Sequence, residues 1–442
     1  MHKYFPHTQH DVEEMLKVIG AKNIDDLFKA IPKDLQIKKD YNIPLALSDI
    51  ELDHHLNELA GKNQILKIFR GAGAYDTYTP SVVSALSSRQ EFLTSYTPYQ
   101  PEVSQGTLQY IFEFQSMITM LTGLNVANAS MYDGATSTAE AMFMANAHTK
   151  KNTILVSETI NPSILEVIKT YARYKKINVK MIPMKDGITD IHSLDQSNDY
   201  MGVIVQNPNY YGIVEDYTNI SNWIHEQGGL LIINQDGQSL GILRSPASFK
   251  ADIAAGELQS LGVPLSFGGA YVGYLATTNA LMRKMPGRIC GVTTDVDGKR
   301  AFVLTLQARE HHIRRAKANS NICSNQSLMA LSVTIYLSLI GKNGLKEMTQ
   351  HVLNASHDLY TKLIHTGLFE PVFNQPFYRE FALKARVDLK ALNNYLLTHN
   401  ILGPLEIENN VGLFAVTEKT TLKDINNFIE KVVAFKWFIT IN

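Results

Sequence analysis

Apolar and polar positions follow different periods in different parts of this chain. Near the N-terminus, "TQHDVEEMLKVIG" and "SDIELDHHLNELAGKN" place apolar residues at helical spacing, with Thr8 and Ser48 as N-cap candidates and Gly61 near the second helix end. From about residue 105 to 280, short apolar runs take over: "NVANAS", "TILVSE", "NVKMIP", "MGVIVQNP", "LLIINQD", "ADIAAGE" and "AYVGYLA". Helical stretches such as "NPSILEVIKTYARYKK" and "YTNISNWIHEQG" separate several of them. That alternation predicts an α/β domain on a mostly parallel, seven-stranded sheet. A long apolar helix begins near Leu328, and the remainder mixes a strand ("GLFAVTE") with helices ("DLKALNNYLLTHN", "LKDINNFIEKVVAF"). The expected division is a helical arm over 1–65, a large α/β domain over 66–324 and a small α+β domain over 325–442.

Composition narrows the class. The chain has 442 residues, 45% hydrophobic and 19% charged, an ordinary globular balance. A formal net charge of -1 gives no electrostatic case for nucleic acid or an anionic membrane. Two cysteines, Cys290 and Cys323, are too few for a disulfide framework, and both read as buried small hydrophobes. The N-terminus lacks the apolar core of a signal peptide, and the run "LMALSVTIYLSLIG", Leu328 to Gly341, is too short and too polar to span a bilayer. His54 and His55 fall in no metal-ligand pattern and read as a solvated helix face, so no metal site is indicated. The expectation is a soluble cytoplasmic protein.

Ligands of open parallel sheets gather at the carboxyl ends of the strands. Here those ends carry "MYDGATSTAEA", "SETINPS", "QNPNYYG", "NQDG" and "GELQSLG". Gly134 with Thr136, Ser137 and Thr138 offers a small-residue turn and hydroxyls beside a helix start, which suits a phosphate and equally suits plain capping. Asp236 is placed to pair with a pyridinium nitrogen, or simply to make a turn before Gly237. Pyridoxal phosphate (PLP) chemistry also needs a Schiff-base lysine at a neighbouring strand end. The sequence there is Glu257-Leu258-Gln259-Ser260, with no lysine. Lys250 precedes its strand and so lies at the wrong end, and Lys284 sits in a basic run that reads as solvated. "TSYTPYQPEVSQG", Thr94 to Gly106, is extended by its prolines yet rich in side chains able to act: Tyr96, Tyr99 and Glu102 on a loop stiff enough to aim them. "QAREHHIRRAKANSN" places Arg309, His312, Arg315 and Lys317 in a basic helix, mostly a solvated face with one or two side chains in reach of an anion.

These stretches carry a resemblance. "GAGAYDTYTPSVV", "YTPYQPEVSQGTLQ", "MYDGATSTAEA", "GELQSLGVPLSFGGAYVGYLA" and "LQAREHHIRRAKANSNICSNQ" span residues 71 to 326 and resemble the glycine decarboxylase P protein of the glycine cleavage system. The likeness is to the α (first) subunit of lineages that split this protein into two chains. Arg70, Thr77 and "GRICGVT" are small departures. The resemblance implies a fold-type-I PLP-enzyme architecture, similar to aspartate aminotransferase. It implies that the PLP lysine belongs to a β chain, where a His-Lys pair ends the strand that here ends in Gln259-Ser260. It implies an α2β2 assembly that decarboxylates glycine and passes the aminomethyl group to the lipoyl arm of H protein. On that reading Tyr96, Tyr99 and Glu102 reach the β site, and Thr136, Ser137 and Asp236 are relics of an ancestral PLP pocket. Three rivals are a catalytically silent structural partner, a self-sufficient PLP lyase using Lys250 or Lys284, and a non-PLP binding module that reuses the fold.

Overall fold

The computed structural model describes residues 4–37, 39, 41–195, 199–309, 311–318, 320 and 322–441. The chain divides into two compact units, Met1–Gln64 and Ile65–Asn442. In the first, helices α1 (Gln9–Ile19) and α2 (Asp49–Ala60) each start with a capping box. The Thr8 and Ser48 hydroxyls accept from the N–H of Asp11 and Glu51, whose carboxylates accept the cap N–H in return at 2.6 and 2.8 Å. Such caps satisfy donors that a helix start leaves open, worth about 1 kcal/mol each. His54 and His55 are exposed, and α2 ends at Gly61.

The second unit is built on a seven-stranded sheet. Its strands are β1 (Val126–Ala127), β2 (Thr153–Ser157), β3 (Asn178–Ile182), β4 (Tyr200–Gln206), β5 (Leu230–Asn234), β6 (Ile253–Glu257) and β7 (Gly273–Thr277), in the order β1-β7-β6-β5-β4-β2-β3. Strands β6, β5, β4, β2 and β3 run parallel, while β7 runs against both β6 and β1. β4 and β5 are buried along nearly their whole length, which is why they read as unbroken apolar runs rather than alternating ones. The reversal at β7 follows from its connection. No helix lies between Glu257 and Gly273, so the chain turns back on itself instead of crossing over. Helices α3 (Gln105–Thr122), α4 (Gly134–Thr149), α5 (Pro162–Lys175) and α6 (Thr218–Glu226) flank the sheet, and α4 lies across β6 and β7. Its first turn therefore meets the carboxyl ends of β5 and β6.

After the sheet come an antiparallel hairpin, β8 (Ile289–Thr294) and β9 (Arg300–Thr305), and then the long helix α7 (Ser327–His365). α7 is broken at Gly341, whose φ is 59°. Taken whole, it is long and apolar enough to cross a membrane by length and composition, although its apolar run alone was expected to fall short. Val333, Tyr336 and Leu337 pack with Phe114, Ile118 and Tyr274 in one core cluster, so part of that apolar surface is buried within the chain. The C-terminal part is an antiparallel sheet of β10 (Phe369–Pro371), β11 (Glu380–Ala385), β12 (Leu405–Glu408) and β13 (Val411–Ala415), ordered β10-β11-β13-β12. Helices α8 (Leu389–Leu397) and α9 (Leu422–Ile441) accompany it, with Phe381, Phe414 and Phe428 in the shared core. Glu380 opens β11 and Arg379 immediately precedes it, in reach of Asp236 beyond the end of β5.

Three local expectations need correction. Cys290 is buried, and its thiol is pushed up to about 11 by burial, but Cys323 is exposed because it lies in the irregular stretch before α7. The basic run is no single helix: it divides into Gln307–Arg309, His311–Arg314 and Arg315–Lys317, broken where Arg315 takes a φ of 51°. Arg315 and Lys317 are exposed, while the side chains of Arg309 and His312 lie outside the described residues. Lys284 is half-buried, not fully solvated.

Candidate functional site

The carboxyl ends of β5 and β6 form a pocket that the chain fills with its own side chains. Asp236 follows β5 by two residues. Its Oδ1 accepts from the Ser260 hydroxyl at 2.9 Å and from the Arg379 guanidinium at 2.8 Å, and its Oδ2 accepts the Ser239 N–H at 3.1 Å. Arg379 is only 3% exposed. Its Cζ lies 3.3 Å from the centroid of the Tyr75 ring, and it also donates to Gln238 Oε1 at 3.0 Å. The Tyr75 hydroxyl donates to Glu380 Oε2 at 2.6 Å, and the Ala72 N–H donates to Glu380 Oε1 at 2.6 Å. Burial alone would lower the Arg379 pKa, but Asp236, with Tyr75, Tyr378 and Glu380 around it, holds the guanidinium above its ordinary value. Burial raises the Glu380 carboxyl, with Arg379 and the Tyr75 hydroxyl opposing. One cation thus pairs with the partly buried Asp236 carboxylate and acts through space on the buried Glu380.

Gln259-Ser260 stands where the resemblance puts the partner chain's His-Lys pair, so the lysine's place falls on Ser260 and the histidine's on Gln259. Gln259 is fully buried, its Oε1 accepts the Tyr75 N–H at 2.9 Å, and its Nε2 donates to the carbonyls of Tyr75 at 2.9 Å and Val263 at 2.8 Å. An amide carries both a donor and an acceptor and so pairs with a peptide group on both sides. The side chain clamps the Tyr75 backbone.

The helix start that suits a phosphate is also taken. Glu257 Oε2 accepts the Gly134 N–H at 2.9 Å, and its Oε1 accepts the N–H groups of Leu258, Gln259 and Val272, each at 3.1 Å. Gly134 is required there, since a Cβ would come within 2.8 Å of the Glu257 backbone nitrogen. The Thr136 hydroxyl turns back into the Asp133 capping box, and the Ser137 hydroxyl donates to the Asp133 carbonyl at 2.8 Å. Burial pushes the Glu257 carboxyl up to about 8, with the Gly134, Val272 and Gln259 N–H groups pulling the other way. In the unfolded chain this carboxyl titrates near ~4.3. The native state therefore holds the proton more tightly, and stability is expected to fall as pH rises from about 4.5 to about 8, by at most roughly 5 kcal/mol. Glu257→Gln, which keeps the size and one acceptor oxygen, should flatten that fall in urea denaturation at pH 5 and pH 8. Parallel profiles for wild type and variant would refute the assignment.

These residues do not fit bound PLP. The strand ends around Asp236 carry no amine, Arg379 sits against the carboxylate oxygen that a ring nitrogen would meet, and Glu257 fills the anion cradle. Among the described residues no cluster of His, Cys, Asp and Glu suits a metal ion. Of the residues singled out from the sequence, Asp236, Thr136, Ser137, Gln259 and Ser260 come together here. Arg379, Tyr75 and Glu257 complete the pocket, and none was foreseen. A Tyr-Arg-Glu triplet heading an apolar strand was the available signal for Arg379 and Glu380.

Tyr96, Tyr99 and Glu102 lie elsewhere, on an irregular loop ahead of α3. Tyr96 is 83% exposed and Tyr99 47%, and Glu102 is exposed in the short turn Pro101–Val103. The loop is anchored at its downstream end. Gln105 Nε2 donates to the carbonyls of Pro101 at 2.7 Å and Phe302 at 2.9 Å, and its Oε1 accepts the Phe302 N–H at 2.8 Å. Tyr96 is thus turned outward on the loop, while the half-exposed Tyr99 directs its hydroxyl toward Arg288, at 3.1 Å.

Comparison with known proteins shows the family and the fold. A family profile described as the glycine cleavage system P-protein matches residues 2–432. A Listeria monocytogenes protein described as a probable glycine dehydrogenase (decarboxylating) subunit 1 is 46% identical over 98% of this chain and 99% of its own. A protein of the same description from Carboxydothermus hydrogenoformans is 46% identical over 97% and 98%. The crystal structure of a glycine decarboxylase (P-protein) of the glycine cleavage system, in inhibitor-bound form, superposes with a TM-score of 0.91 at 39% identity, covering 98% of this chain and all of that one. A Lactobacillus brevis glutamate decarboxylase shares the fold at a TM-score of 0.66 and 14% identity. The architecture is that of a fold-type-I PLP enzyme, and the chain belongs to the glycine cleavage system P-protein family.

Proposed function

We propose that this chain is the first (α) subunit of a two-chain glycine dehydrogenase (decarboxylating). Its β partner carries the PLP lysine, and the decarboxylation of glycine and the transfer of the aminomethyl group to the lipoyl arm of H protein take place in the partner's site. An α2β2 assembly and a cytoplasmic setting belong to the same reading. The relatives described as subunit 1 support it. The observation that carries it is the filled pocket: Gln259 clamps Tyr75, Arg379 engages Asp236, and Glu257 fills the cradle, so this chain has no room for a cofactor of its own. The contribution it makes is the exposed loop, with two phenols and a carboxylate reaching the partner's site.

Tyr96→Ala and Glu102→Gln test this in the assembled complex. Each is expected to lower kcat/KM for glycine about 10²-fold, the scale of losing a positioned proton donor or acceptor. The melting temperature of this chain alone should be unchanged, since both side chains are exposed in it. Near-normal turnover of the assembled variants would show a structural partner only.

A further inference from the structure

More than half of the large hydrophobic side chains exposed among the described residues lie in the first compact unit, Met1–Gln64. No described residue before Phe69 is buried. Single exposed apolar side chains are ordinary on a protein surface, but a whole unit built of them is not. In α1, Val12, Met15, Leu16 and Ile19 fall at helical spacing on one face. The capping boxes fix where α1 and α2 begin, yet short helices draw most of their stability from packing an apolar face.

Between the two helices, residues 41–47 belong to neither helix nor strand. They nevertheless carry Tyr41, Ile43, Leu45 and Leu47 at every second position, the period of a strand. Pro44 disfavours the helical conformation at Ile43 and biases it toward an extended one. Ile43 is 73% exposed and Leu45 91%. The run has the apolar pattern of a strand and no surface to lie on.

The polar positions indicate which surface that is. α1 carries Asp11, Glu13 and Glu14, and α2 carries Asp49, Glu51 and Asp53 with no lysine or arginine. Helices that lie on anionic membranes use lysine and arginine on the polar face, so acidic ones suit a protein surface instead. The relatives described as subunit 1 supply a candidate for it, a partner chain. A standard interface takes roughly 20–30 residues from each side, which an arm of this length provides.

We propose that the unit Met1–Gln64 is a docking arm for the β subunit, with the apolar face of α1 and residues 41–47 seated against it. The inference rests on the reading of this chain as one half of a two-chain enzyme. It goes further in naming the part of the chain that holds the partner.

Titration of the full-length chain with the β subunit, followed by sedimentation velocity, tests it. Ile43→Asp/Leu45→Asp is expected to raise Kd about 10²-fold or more, since two apolar contacts become charges that the interface must desolvate. Met15→Lys/Ile19→Lys should act in the same direction. Each variant alone should melt at the wild-type temperature. In the wild type, the backbone amides of residues 41–47 should gain hydrogen-exchange protection when the β subunit is added. A Kd within about threefold of wild type, or no gain of protection, would overturn the inference and leave the partner reading standing. A lower melting temperature of the variants alone would show the arm packed on its own chain. Loss of self-association in the variants alone would show a second copy as its occupant. Either result overturns the inference. No complex between the wild-type chains would refute the partner reading itself.

Discussion

Arg379→Met is expected to destabilise this chain by about 3–5 kcal/mol, the cost of breaking a buried ion pair by removing one partner. Asp236 and Glu380 both face the guanidinium, and nothing else with a positive charge bonds to either among the described residues. The variant also loses the contact between the guanidinium and the Tyr75 ring. Its pH dependence has a definite sign. Burial already raises the Glu380 carboxyl and Arg379 opposes it, so without the cation the folded-state pKa climbs further above the unfolded value. The variant's native state then binds the proton more tightly than its unfolded state, and stability falls as pH rises through that interval. It should be less unstable near pH 5 than near pH 8. Removing both partners in Arg379→Met/Asp236→Asn should cost less than Arg379→Met alone, because one of the stranded charges is gone. Urea denaturation of the isolated chain measures all three, and a loss below about 1 kcal/mol would contradict a buried pair.

The same residues show how much of the site was legible in the sequence. The seven strands were readable because each is a short apolar run closed by turn residues, and strands buried on both faces cannot hide that pattern. The absent lysine was readable for a simpler reason: its place is fixed by one strand end, and Gln259-Ser260 stands there. What fills the gap was not readable. Tyr75 lies far upstream of Asp236 in the chain and Arg379 far downstream, and no periodicity links them. Glu257 was in plain view, but its role depends on four N–H groups from three separate stretches, at Gly134, Leu258–Gln259 and Val272, which only folding brings together. The loop at Tyr96, Tyr99 and Glu102 was legible as stiff and aromatic, whereas its anchors, Gln105 on the hairpin and Arg288 beneath Tyr99, belong to tertiary structure. Cys323 and the basic run were misjudged because composition does not reveal where a helix breaks.

A consistent division of labour emerges between the two regions. The pocket is a packed polar network, in which an amide, a carboxyl group and an arginine occupy positions that face inward. The loop remains outward and polar, where a purely scaffolding surface would be expected to pack its tyrosines.

Glycine–bicarbonate carboxyl exchange, with H protein and PLP present, measures that claim most directly when run on this chain alone, on its β partner alone and on the two together. The difference should be close to all-or-none, since PLP catalysis without a Schiff-base lysine or a free cradle has no starting point in this chain. The expected result is exchange in the mixture and none above background with this chain alone. Exchange by this chain alone would contradict the account, because a lysine here would then have to serve a pocket that the structure shows filled.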